Sequence, residues 1–311
     1  MTARVVEFFG LTPLDPQGAA NAALGTCPFI PGLCTKLDRG GERLGACTLQ
    51  QINDADPVIC CPNRLYADQF QILLDVATEA FGPDHALINA ADLPAAKAAG
   101  TLTGKEVAVF GKHWGRELSI PQPRGGEDEG QSFFIDWVLA RVDQTGELAE
   151  FTAVEVQTID TTGSYNQAVA SFKAGIPYID SKGRNPGYTT AGFNWANVSK
   201  RILPQLIYKG YVLRREAKCT KGLFFICPSA VLRKIKDRLG GKLLDYPIAS
   251  GTITFRTYDL GPPKPQGHPR GIVFAESFTT TVEQMAYAFV SPTNLPTMGV
   301  YEAAIRRALP A

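Results

Sequence analysis

Apolar residues recur at helical spacing from Tyr66 to Phe81. In YADQFQILLDVATEAF, the side chains of Phe70, Leu73, Leu74, Ala77 and Phe81 fall on one face and predict an amphipathic helix. The pattern then changes. EVAVFG (106–111), SFFIDWVLARV (132–142) and TAVEVQTI (152–159) are rich in β-branched and aromatic residues, are bounded by Gly, Pro or polar residues and partly alternate, so they predict three strands of one sheet. Helices are expected over 163–174 and 195–213. The second carries Trp195, Val198, Ile202 and Leu206 in register, with Pro204 either kinking it or marking its true start. GLFFICP (222–228) predicts a short buried strand, Ser229 an N-cap and 230–239 a helix. TITFRTYDL (252–260), a Pro-rich loop at 261–269, GIVFAESFT (271–279) and two closing helices complete the chain. Strands mixed with helices and no internal repeat give an α/β class, with an α+β mixed sheet.

Residues 11–62 stand apart. They are rich in Gly, Pro, Asp and Cys and lack sustained periodicity, so the segment buries little by itself and needs something else to fix it. Five of the seven cysteines lie here, at 27, 34, 47, 60 and 61, with only Cys219 and Cys227 beyond. No run approaches the roughly 20 apolar residues of a membrane span, and no export signal is evident, so the chain is expected to be soluble, unexported and without a membrane partner. In a reducing cytoplasm such a cluster more often binds metal than forms disulfides. Cys27, Cys34, Cys47 and Cys61 are separated by six, twelve and thirteen residues. That spacing lacks the short CxxC of a zinc knuckle and leaves open a set of buried free thiols, which pack as small hydrophobes. The three histidines, His85, His113 and His268, have no protease context, which argues against thiol catalysis.

Acids supply a second constellation. Asp136 sits in the apolar run FFIDWVLA, where an ionised carboxylate is costly unless paired or metal-bound. Glu155 and Gln157 follow nineteen residues on, in VEVQT, and project from the same face of the next strand because side chains alternate with period two. Three oxygens converging on one sheet edge outline a site for a hard divalent cation such as Mg2+. Glu117, in GRELSI, is a possible fourth acid; each acid taken singly also fits a salt-bridged strand end. Nuclease cores of the PD-(D/E)xK type usually place Lys where this chain has Gln157.

The formal net charge of +1 from 31 basic and 30 acidic residues at first argues against a polyanionic partner. Eleven basic residues, however, lie between Ser199 and Arg238, opposed only by Glu216 and Asp237, a local charge of +9. Such a stretch is a solvated face or a grip on phosphates.

Taken together and in order, VEFFG (6–10), GTCPF (25–29), Cys34 with Thr-Lys after it, Cys47, CPNR (61–64), GRELSI, SFFIDWVLARV, VEVQTIDTTGSYNQAV (154–169) and NVSKR (197–201) resemble the NotI family of type II restriction endonucleases. The resemblance covers about residues 6 to 210. It implies a PD-(D/E)xK nuclease core over 66–311, carrying the DNA-recognition elements, and an N-terminal rubredoxin-like subdomain over 1–65. There Cys27, Cys34, Cys47 and Cys61 would hold a structural iron, and tetrahedral S4 suits zinc equally. It further implies a homodimer cutting GC-rich palindromic duplex DNA with Mg2+ in a bacterial cytoplasm, alongside a cognate methyltransferase acting on the same site. By the same token the active-site residues are Asp136, Glu155 and Gln157 with Glu117 beside them, Asp136 and Glu155 being the Mg2+ ligands. Gln157 becomes a family feature, with metal-activated water replacing the usual Lys. Tyr165, Asn166, Lys173, Lys200 and Arg201 are candidate phosphate or base contacts. Competing readings are a catalytically inactive DNA-binding or regulatory protein, and a redox metalloprotein built on the thiols.

Overall fold

The computed structural model describes residues 3–54, 56–120, 133–179 and 188–309. The chain opens with strand β1 (Ala3–Phe8) and helix α1 (Pro16–Leu24), then β2 (Ala46–Gln51) and β3 (Val58–Ile59), and the three strands form an antiparallel sheet in the order β1-β2-β3. Helix α1 starts where Pro16 presets the first turn and Asp15 accepts a hydrogen bond from the Gln17 N–H at 2.9 Å. It ends at Gly25, whose φ of 65° closes the left-handed cap.

Next come α2 (Pro62–Leu65) and α3 (Ala67–Phe81). The helix expected over 66–81 is present, but its first turn departs from regularity: Asp68, Gln69 and Phe70 have φ of 56°, 58° and 63°. A left-handed turn costs L-residues about 1–2 kcal/mol each. What offsets it is Phe70, whose ring packs against Tyr66, His113, Trp114 and Trp137.

β4 (Ala86–Asn89), α4 (Leu93–Ala98) and β5 (Glu106–Gly111) follow, then a short hairpin of β6 (Leu118–Ile120) and β7 (Phe133–Ile135), and the long pair β8 (Trp137–Val142) and β9 (Leu148–Val156). The strand expected over 132–142 is thus two strands broken at Asp136, and residue 132 lies outside the described residues. β10 (Thr161–Thr162), α5 (Asn166–Lys173) and β11 (Gly192–Phe193) lead to a wide π-type turn over Val198–Ile202 and α6 (Leu203–Arg214). Pro204 sits in the first turn of α6, where its missing N–H costs nothing, so it marks the true start.

The chain closes with β12 (Leu223–Cys227), α7 (Ser229–Arg238), β13 (Thr252–Leu260), β14 (Ile272–Thr281), α8 (Val282–Val290) and α9 (Val300–Ala308). Ser229 is not the N-cap of α7; Pro228 is, and the freed Ser229 N–H donates to Asp259 of β13 at 3.1 Å.

Seven strands form one mixed sheet in the order β14-β13-β12-β9-β8-β5-β4. β8 runs antiparallel to β9, and β9 is parallel to β12, which the intervening α5 and α6 make possible as a crossover. β12 is buried along its whole length, as LFFIC suggests. Phe224 and Ile226 face Leu73, Val76 and Trp137, whereas Phe225 and Cys227 face the side of Leu206, Val231 and Ile253. Ala3, Val5, Phe8 and Leu49 of the N-terminal sheet join this second cluster. The N-terminal segment is tied in by charge as well. Glu7 of β1 and Arg64 of α2, both essentially inaccessible, form a two-pronged ion pair at 2.9 and 3.1 Å, and Arg64 Nη2 also donates to the Arg270 carbonyl at 2.7 Å.

Candidate functional site

The break at Asp136 is the structural origin of the site. Ile135 pairs outward with Leu118 in the hairpin, Trp137 pairs inward with Val154 of β9, and the residue between them is released from both ladders. Its carboxylate Oδ2 instead accepts from the Val156 N–H at 2.9 Å, and its own N–H donates to Glu155 Oε1 at 3.4 Å. Gly111 makes the geometry possible: a Cβ there would meet the Trp137 ring at 2.2 Å, so only glycine lets this buried indole lie across β5. The indole N–H donates to the Tyr66 hydroxyl at 3.1 Å, which fixes the residue next to Asp136.

Asp136 and Glu155 are therefore neighbours, as their spacing predicts. Glu117 immediately precedes β6, and the Leu118–Ile135 register sets it beside Asp136 on the exposed side. Gln157 lies one residue beyond β9; its backbone N–H continues the ladder to the Ile226 carbonyl at 2.9 Å, and its side-chain amide donates to the Thr158 carbonyl at 3.0 Å.

One partner was not legible from spacing. Lys209, on α6, is buried, and its Nζ stands 2.7 Å from Glu155 Oε2. It lay inside the basic stretch expected to face solvent or phosphate. Part of that stretch is paired: Arg201 with Asp160 and Arg214 with Glu283 at the surface, Lys236 with Glu276, while Arg238 donates to the Asn294 and Phe289 carbonyls.

The electrostatics suit an acidic centre. Burial, followed by the charge of Asp136, pushes the Glu155 carboxyl up to about 7 against the opposing pull of Lys209. Burial likewise raises Asp136, with the Val156 N–H and Lys209 opposing and Glu117 adding to the rise. The fold thus disfavours the anionic form of Asp136. Because the folded-state affinity for the proton exceeds the unfolded one, Asp136 costs stability increasingly as pH rises through its folded pKa. Asp136→Asn, which keeps an acceptor for Val156, is expected to raise the melting temperature in EDTA at pH 8, by more than at pH 5, where the carboxyl is closer to neutral. Thermal scans of both proteins at the two pH values check this; a lower melting temperature at pH 8 would contradict it.

Several of the cysteines are neighbours. Cys47 and Cys61 pack with Phe29 and Ala67, and Cys27 packs against them; Cys34 interacts with Cys27, and Cys61 with Cys27. Burial raises the thiols of Cys27 and Cys47, and that of Cys61 to about 12. Two cations flank the group: Arg64 lies close enough to favour the Cys47 thiolate, and Lys36 that of Cys61. Cys60 also neighbours Cys61 and Cys47, and its Sγ lies 3.3 Å from Lys36 Nζ. Among the described residues no group of three or more His, Cys, Asp or Glu side chains is arranged to hold a metal ion.

A cleft of about 820 Å3 runs between the cysteine segment and the turn after β9, lined by Lys36 to Arg39 and Thr161 to Asn166. Tyr165 forms its floor, buried beneath the Lys36 ammonium at 5.5 Å. Asn166 donates to Asp38 at 3.0 Å, Lys173 pairs with Glu42 at 3.1 Å, and Lys200 is exposed. No helix of the described residues is long and apolar enough to cross a membrane.

The family model of the restriction endonuclease NotI matches residues 17–222, which include the four cysteines, the acidic centre and Lys209. No curated protein matches the chain.

Proposed function

The chain belongs to the NotI family of restriction endonucleases and is a type II site-specific deoxyribonuclease acting on double-stranded DNA, and from that premise we propose that Asp136, Glu155, Gln157 and Glu117 form its catalytic centre. The observation that carries this reading is the adjacency of Asp136 and Glu155 at a strand break, with both carboxyls raised by burial. The order β5, β8, β9, crossover helix, β12 in one mixed sheet supports reading it as a PD-(D/E)xK core.

The hard oxygens of Asp136 and Glu155 fit Mg2+, with Glu117 at the open side. Bound there, the cation would polarise the scissile phosphate and acidify a water. Gln157 has no acid-base role at neutral pH. With its amide nitrogen given to Thr158, it offers its oxygen to orient the attacking water or to complete the cation's shell. The cleft above Tyr165 takes the DNA, with Asn166, Lys173 and Arg201 releasing their acidic partners, and the exposed Lys200 joining them, in favour of phosphates or guanine edges. A GC-rich palindrome, a homodimer to read it and a methyltransferase to protect it complete the proposal.

Cys27, Cys34, Cys47 and Cys61 are assigned to a structural iron or zinc. The chemistry of the donor set supports this: the thiols of Cys27, Cys47 and Cys61 pack near one another, Cys34 neighbours Cys27, and Arg64 and Lys36 stand where they favour the Cys47 and Cys61 thiolates. The segment also lacks periodic apolar packing of its own. Metal analysis of purified protein is expected to give about one iron or zinc per chain, and Cys61→Ser to lose it together with thermal stability. Folded wild-type protein without metal would overturn the assignment.

A further inference from the structure

The buried ammonium of Lys209 is the one element of the centre that neither the Asp-Glu-x-Gln pattern nor the cation accounts for. A lysine is seldom buried unless paired, and here its partner is Glu155, at 2.7 Å, with both side chains close to inaccessible. It reaches the centre from α6, more than fifty residues after Gln157 in the chain. The approach depends on the next residue: a Cβ on Gly210 would meet Val282 Cγ2 at 2.8 Å, so the glycine lets α6 settle against α8 and β13 and sets the depth of Lys209.

We propose that Lys209 is a catalytic residue supplied from α6 in place of the lysine missing at position 157. This rests on the reading of Asp136 and Glu155 as the catalytic pair. With Glu155 turned to holding a cation, the Lys209 ammonium would be free to donate a hydrogen bond to the attacking water or to a non-bridging phosphate oxygen. The water oxygen forms the new bond to phosphorus and gives up a proton to solvent. The bond to the leaving ester oxygen breaks with its electron pair, and that oxygen takes up a proton. The fixed positive charge of Lys209 offsets the negative charge that builds on the phosphoryl oxygens between these events.

The competing role is that of a counterion which merely keeps Glu155 ionised. It predicts weaker Mg2+ binding but a normal turnover once Mg2+ is saturating. Single-turnover cleavage by Lys209→Gln across a Mg2+ titration separates the two. The expected result is a loss of about 100-fold or more in the rate at saturating Mg2+, with DNA binding in Ca2+ retained. A full rate at saturating Mg2+ would overturn the proposal. Should Lys209→Gln fail to fold, Gly210→Ala keeps the lysine but displaces its helix, and is expected to lower the saturating rate by about tenfold or more, given the cost of an ångström's misplacement; a normal rate there would overturn the proposal. Asp136→Asn run in parallel distinguishes the failures. If that variant cuts normally, the reading of the centre fails; if it is dead while Lys209→Gln is fully active, only the role of Lys209 fails.

Discussion

Asp136→Asn is expected to lower Mg2+-dependent cleavage of duplex DNA by about 1,000-fold or more, the upper range for losing one electrostatic contributor to a transition state, while leaving DNA binding in Ca2+ intact. The residue occupies the one position where the chain leaves both the β6–β7 hairpin and the main sheet, and it is held there by Val156, Glu155 and the buried Trp137. Asparagine keeps the shape and the acceptor for the Val156 N–H but removes the charge proposed to hold the cation. The variant should therefore fold, bind and fail to cut. Its raised stability in EDTA would be the other face of the same physics: a buried carboxylate destabilises the fold and serves the chemistry. Full cleavage by the variant would remove Asp136 from the mechanism.

Arg64→Ala is expected to destabilise the protein by about 3–5 kcal/mol, as breaking a buried ion pair from one side does, seen as a fall of roughly 10 °C in melting temperature. Arg64 binds Glu7 on β1, reaches the carbonyls of Arg270 and Gly271, and lies over the Phe29 ring at 4.5 Å. Its removal leaves Glu7 charged and buried. Because Arg64 follows Cys61 by three residues, the same loss loosens the thiol cluster from the large sheet. Replacing both partners with apolar residues, Glu7→Leu with Arg64→Met, is expected to cost less than Arg64→Ala alone, since no orphaned charge remains. Urea unfolding of the three proteins checks the order; equal stability of Arg64→Ala and wild type would contradict it.

Local pattern carried the sheet and most helices because each element buries a face that its own periodicity records. The body of α3 is of this kind, although Leu74, read onto its buried face, is exposed while Ile72 and Val76 are buried, and the continuous apolar run of β12 records burial on both faces. Misses arose where a distant residue decides the local outcome. The left-handed turn at 68–70 exists for the aromatic cluster that Phe70 joins, and Pro228 caps α7 while the Ser229 N–H is taken by Asp259, thirty residues away. In the site, Asp136 and Glu155 were legible because adjacent antiparallel strands bring a D…ExQ spacing together. Lys209 was not, because its contact with Glu155 is made by a crossover helix whose depth depends on Gly210 packing against Val282. For the same reason charge counts did not show that, within the basic stretch, Arg214, Lys236 and Arg238 are engaged by the C-terminal elements.

The most direct test of the central claim is digestion of a large DNA by the wild-type protein in Mg2+ and in EDTA, with the ends of the products sequenced. Discrete fragments in Mg2+, none in EDTA, and one shared GC-rich palindrome at every end are the predicted result. Folded protein that binds duplex DNA yet leaves it intact with Mg2+, or cuts it equally in EDTA, would contradict the account.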